Sequence, residues 1–151
     1  MTDPQRGIFV YVTHIATTRE KAWEALTSPD FTRRFWNGRI LESDWRVGSP
    51  ITLRHDYDDA VDGTGTVLAA ERPRRLSYAM SDKEGRESTV TFELVASGDV
   101  VALTVTHTGL TDASLLRSAS GGWQFILSNL KTLLESGRTL PMPDQVLAAY
   151  R

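Results

Sequence analysis

The chain has 151 residues, 40% of them hydrophobic and 24% charged, which suits a single globular domain and excludes a disordered chain. With 17 Lys+Arg against 19 Asp+Glu the net charge is −2, so the excess positive charge that nucleic acid or an anionic membrane would require is missing. Cysteine is absent, which excludes disulfides, thiolate metal sites and a cysteine nucleophile, and a reducing, cytoplasmic setting is expected.

The opening residues MTDPQRG lead directly into the apolar run Ile8-Phe9-Val10-Tyr11-Val12. A secretory signal would need a basic start and a longer apolar stretch, and no run approaches the roughly 18 apolar residues of a membrane span. Neither a leader nor a membrane partner is expected. Phe9 to His14 is β-rich and apolar, which predicts a first strand covered on most of both faces. Thr17-Thr18-Arg19-Glu20 then reads as a capping box with Thr17 as the cap. Ala22, Trp23, Ala25 and Leu26 follow at helical spacing. Ser28-Pro29 ends this helix and starts a second short one carrying Phe31, Phe35 and Trp36.

From Arg39 to Thr108 the pattern changes to strands separated by turns at 46–49, 56–63, 72–74, 82–85 and 97–99. Apolar residues recur at every second position: Ile51, Leu53, His55; Leu76, Tyr78, Met80; Val90, Phe92, Leu94; Val101, Leu103, Val105, His107. One face is therefore buried and one wet, as in an antiparallel meander of about six strands. After Thr111-Asp112, a plausible cap, apolar residues from Leu115 to Leu134 recur at three- and four-residue spacing and stop at Gly137. This is the strongest periodicity in the chain. Gly121-Gly122 interrupts it, at roughly 1 kcal/mol per glycine relative to alanine, and close approach of another backbone or a kink is expected in return. The tail beyond Pro141-Met142-Pro143 is expected to be loosely held.

Strand, two short helices, meander and long helix form an α+β helix-grip arrangement: a curved antiparallel sheet of about seven strands wrapped around a long C-terminal helix. The pieces in this order are Ile15 to Thr27 (IATTREKAWEALT), Phe35-Trp36, Val47-Gly48-Ser49, Glu71 to Tyr78 (ERPRRLSY), Val90 to Leu94, Thr104 to Leu110 (TVTHTGL), and Gly122-Trp123 through Glu135. Together they resemble the START-like (SRPBCC) superfamily. Within it they are similar to the AHSA-type domain, the C-terminal domain of the heat-shock-protein-90 ATPase activator. The resemblance covers about residues 8–137 and implies one domain over residues 1–151, with 138–151 as a tail. It also implies a cavity between sheet and long helix that in relatives holds apolar small molecules.

The residues expected to face that cavity are Leu53, His55, Tyr78, Met80, Phe92 and His107 on the sheet and Trp123 and Leu127 on the helix, with Phe35, Trp36 and Trp45 at the end. Apolar walls with sparse polar tips suit a small-molecule pocket, although the same residues would equally fill a solid core. An inward His55 or His107 can serve as general base, ligand contact or structural hydrogen-bonding residue. No histidines share an HxxxH or HxH spacing, and the acidic run Asp56, Asp58, Asp59, Asp62 fails the EF-hand pattern and reads as a solvated hairpin. No metal or cofactor is expected, and no complete catalytic constellation is present. The expected function is non-enzymatic binding of a small apolar or lipid-like molecule. The alternatives are a chaperone-associated or regulatory interaction module, as the resemblance implies, and a pocket enzyme of cyclase or hydrolase type.

Overall fold

A computed structural model describes residues 7–141. In chain order the elements are β1 (Phe9–Ile15), α1 (Arg19–Thr27), α2 (Pro29–Phe35), β2 (Arg39–Glu42), β3 (Pro50–His55), β4 (Val61–Glu71), β5 (Arg75–Ser81), β6 (Glu87–Ser97), β7 (Val100–Thr108) and α3 (Ala113–Ser136). All seven strands form one curled antiparallel sheet in the order β1-β7-β6-β5-β4-β3-β2. The meander is thus β2 to β7, and β1 closes onto its last strand. This is the α+β helix-grip architecture.

The period-two apolar residues all lie on the concave face. Leu76, Phe92, Leu94, Val101, Leu103 and Val105 are buried there against Trp123, Ile126, Leu127, Leu130 and Leu133 of α3. Each fully buried side chain of this size contributes about 1.5–3 kcal/mol of transfer free energy. β4 and β5 approach closely at Gly65: a Cβ there would stand 2.1 Å from the Ala79 carbonyl oxygen, so only glycine allows the contact. Glu135 accepts the Ala16 backbone N–H (2.8 Å), and Lys131 donates to the His14 carbonyl (2.5 Å), tying the C-terminal half of α3 to β1. Buried Asn129 adds a third tie by donating to the Phe35 carbonyl (3.1 Å).

Several local expectations change. β1 is an edge strand, and Val10 and Val12 on its outer side are 55% and 48% exposed, because the sheet ends there and no layer covers its convex face. The cap of α1 is Thr18, whose hydroxyl accepts the Lys21 N–H at 3.2 Å; Thr17 instead donates its N–H to the Ile15 carbonyl, so the cap lies one residue later than the capping-box pattern suggests. Ser28 precedes α2 with Pro29 in its first turn but makes no side-chain cap bond. The turn expected at 56–63 is shorter, since Val61, Asp62 and Gly63 already belong to β4. Gly121 faces open space, so close approach is not what offsets its cost. Asp112 caps α3 through the Leu115 N–H (2.8 Å), and Gly137 ends it in the left-handed conformation at φ 76°, both as expected. The loose tail expected from Met142 onward lies outside the described residues.

Candidate functional site

A partly open cavity of about 380 Å³ lies between the concave face of the sheet and the N-terminal half of α3. Its position follows from where the packing stops. Burial along α3 begins only at Trp123, and residues 113–122 are half-buried or exposed. On the sheet the inward rows open in the same region: Ile51 and Leu76 are buried, whereas Leu53 in β3 and Met80 and His107 near the ends of β5 and β7 are half-buried. Sheet and helix therefore diverge, and the gap is the cavity.

Of the residues expected at a pocket, Trp36, Leu53, Tyr78, Met80, His107 and Trp123 line this cavity. The structure does not bring the other five to its wall. Phe35, Phe92 and Leu127 are buried in the core behind it. Trp45 lies beyond Tyr78, with ring centroids 6.2 Å apart, and donates its indole N–H to the Thr27 carbonyl at 2.8 Å. His55 is buried with Nε2 3.5 Å from Asp62, and its Nδ1 has no partner among the described residues.

Trp123 organises the aromatic wall. Its ring lies 5.1 Å from that of Trp36, 5.6 Å from Phe92 and 6.0 Å from His107, the latter two edge-on. Such offset and edge-to-face pairs suit the aromatic quadrupole. The Trp123 indole N–H donates to His107 Nδ1 at 2.9 Å, and His107 Nε2 lies 2.8 Å from Ser88 Oγ. An indole nitrogen can only donate, so Nδ1 must accept and the imidazole proton must sit on Nε2. Nε2 therefore donates to the Ser88 oxygen. Burial pushes the His107 pKa down to about 4, so the ring is neutral at physiological pH. Ser88 and His107 have the spacing of a nucleophile and its base, but the protons run the wrong way: His107 cannot take a proton on a nitrogen that already carries one. The arrangement makes Ser88 a donor facing the cavity, not an activated nucleophile.

Tyr78 supplies a second polar atom. Its ring is fully buried, its hydroxyl has no partner among the described residues, and burial drives its pKa upward, so it remains a neutral O–H. At the rim, Asp62 accepts a forked pair of bonds from Arg39 Nε (3.2 Å) and Nη2 (3.1 Å), with Lys83 Nζ 3.6 Å away. Burial alone would raise the Asp62 pKa, but the Arg39 and His55 contacts hold its carboxyl below the usual range. Asp62 is thus part of the cavity wall and not, as the acidic run suggested, a solvated loop residue. Asp59 and Glu42 both pair with Arg54.

Ser88 and Asp62 were missed by reasoning from sequence. Ser88 falls on the inward phase of β6, two residues before Val90, and extending the apolar frame by one step would have found it. Asp62 was hidden by the acidic residues around it. Among the described residues, no group of three His, Cys, Asp or Glu is placed to hold a metal ion, and no helix is long and apolar enough to cross a membrane.

Comparison with known proteins agrees with this architecture. CalU16 from Micromonospora echinospora is 22% identical, with a TM-score of 0.75 over 94% of this chain and 80% of that one. An HSP90 activator from Plasmodium falciparum is 21% identical, with a TM-score of 0.69 over 84% of this chain and 95% of that one. The Aha1 dimer from Colwellia psychrerythraea gives 19% identity and a TM-score of 0.73, covering 86% and 97%. At these identities the likeness shows a common fold. No curated protein matches the chain significantly. The family model for the activator of Hsp90 ATPase homolog 1-like protein matches residues 16–135, from the end of β1 to the last turn of α3, and the chain belongs to that family.

Proposed function

We propose that this protein binds a small apolar or lipid-like molecule, without turning it over, in the cavity between the sheet and α3. The observation that carries the reading is the cavity itself: about 380 Å³ of space walled by Trp36, Leu53, Tyr78, Met80 and Trp123, with few polar atoms among them. Walls of this kind supply affinity through buried apolar area, and sparse polar groups fix orientation. The Ser88–His107 proton arrangement supports binding over catalysis, because it leaves the site without a general base at that pair. The chain's lack of cysteine supports a cytoplasmic setting.

The test is native mass spectrometry of the purified protein together with a thermal-shift screen of lipophilic compounds. A bound species, or stabilisation that grows with ligand concentration, is expected, and both should disappear in Ala119→Phe, which places a ring in the cavity from α3. Absence of any bound species and of any shift would count against the reading.

The family match favours a second reading, in which the domain acts on a chaperone of the Hsp90 class, as the name of the Plasmodium falciparum relative says of that protein. Stimulation of that chaperone's ATPase by the purified domain would support it, and a pull-down that recovers no chaperone would sink it.

A further inference from the structure

The hydrogen bonds in the cavity wall have a direction. Trp123 donates to His107, His107 donates to Ser88, and the Ser88 hydroxyl proton is left without an acceptor among the described residues. Ser88 pairs with Met80 across β5 and β6 while Tyr78 pairs with Val90, so Ser88 and Tyr78 are diagonal neighbours on one face. Such positions lie roughly 7–8 Å apart. Tyr78 presents a second hydroxyl without a partner among the described residues. The Tyr78 oxygen is itself buried, so the wall offers the Ser88 O–H as the donor to whatever occupies the cavity.

The charges at the rim narrow the choice further. Arg39 is paired with Asp62 and Arg86 with Asp82, and Glu87 adds a third carboxylate against the two guanidiniums. With Lys83 Nζ 3.6 Å from Asp62 the rim carries as many cations as carboxylates, and each of those cations is already engaged, so an anionic head group would find no cation to itself there. A fatty-acid-like carboxylate is the wrong chemistry for this wall, whereas a neutral oxygen acceptor suits it.

We propose that the cavity takes an uncharged, largely apolar molecule bearing a carbonyl-type oxygen, and that Ser88 donates the hydrogen bond that recognises that oxygen. The inference rests on the binding reading above and adds the ligand's chemistry to it.

The experiment uses the full chain and two matched probe series: fluorene, fluorenone and fluorene-9-carboxylate; and naphthalene, 2-acetylnaphthalene and 2-naphthoate. Affinities are measured by titration calorimetry or tryptophan fluorescence. A neutral hydrogen bond changes affinity by roughly two- to tenfold, so the ketone of at least one series should bind tighter than its hydrocarbon by that factor, with the carboxylate weakest. Ser88→Ala should erase the ratio between ketone and hydrocarbon affinity, and Ser88→Thr, which keeps the hydroxyl, should retain it. Equal affinity for ketone and hydrocarbon overturns the inference and leaves the cavity reading standing. So does tightest binding of the carboxylate, or a ketone preference unchanged in Ser88→Ala. Failure of every probe in both series to bind overturns the two together.

Discussion

His107 owes its neutrality to burial and its tautomer to one indole. Because Trp123 donates to Nδ1, protonating the ring would set two N–H groups against each other, in a site already hostile to charge. In the unfolded chain the same histidine titrates near pH 6.5. Between about pH 6.5 and 4 the unfolded state thus binds a proton that the folded state refuses, and stability falls as pH falls across that window. Below about 4 both states are protonated and this contribution is flat. Chemical denaturation at pH 7.0 and 4.5 should show a loss of about 2–3 kcal/mol from this group that is absent in His107→Gln; an equal loss in both proteins would contradict the assignment. At Tyr78 the expectation has the opposite sign. Its buried hydroxyl has no partner among the described residues, so Tyr78→Phe should be neutral or stabilise the ligand-free protein by up to about 1 kcal/mol. A clear destabilisation in urea would show that the hydroxyl is bonded. Neither behaviour was legible in the sequence, because alternation puts a residue on a face but does not say what meets its polar atom.

At the scale of elements the sequence was more informative, since element type depends on local periodicity and on caps. The apolar frames of β3, β5, β6 and β7 and the long stripe of α3 are all found where period-two and helical spacing put them. The misreadings have physical causes. β1 looked covered on both faces because Val10 and Val12 are apolar, yet an edge strand leaves such residues in water. The capping-box spacing pointed to Thr17, but the helix starts one residue later and Thr18, in an extended conformation, takes the cap. The two glycine sites give opposite predictions. Gly121→Ala adds a methyl group into open space within a helix, so it should stabilise by up to about 1 kcal/mol, read as an upward shift of Tm. Gly65→Ala drives a methyl group into the Ala79 carbonyl and should lower Tm sharply or prevent folding. Equal tolerance of both substitutions would contradict the close approach of β4 to the Ala79 carbonyl.

At the scale of the molecule, the question open from sequence was whether the inward face is solid or hollow. Leu127 and Phe92 fill core while Trp123 and Met80 line a cavity, although all four share the same inward-facing, apolar pattern. What separates them is how far α3 stands off the sheet along its length, a property of the packed whole that local spacing does not encode. The four tryptophans provide a direct test of the central claim, that this cavity binds a small apolar molecule. Trp36 and Trp123 line the cavity, whereas Trp23 is buried at α1 and Trp45 lies behind Tyr78. The measurement is a heteronuclear NMR titration of the indole N–H signals with a compound that stabilises the protein. The Trp36 and Trp123 signals should shift with saturation while those of Trp23 and Trp45 stay in place. Shifts confined to Trp23 or Trp45, or stationary Trp36 and Trp123 signals, would contradict the claim.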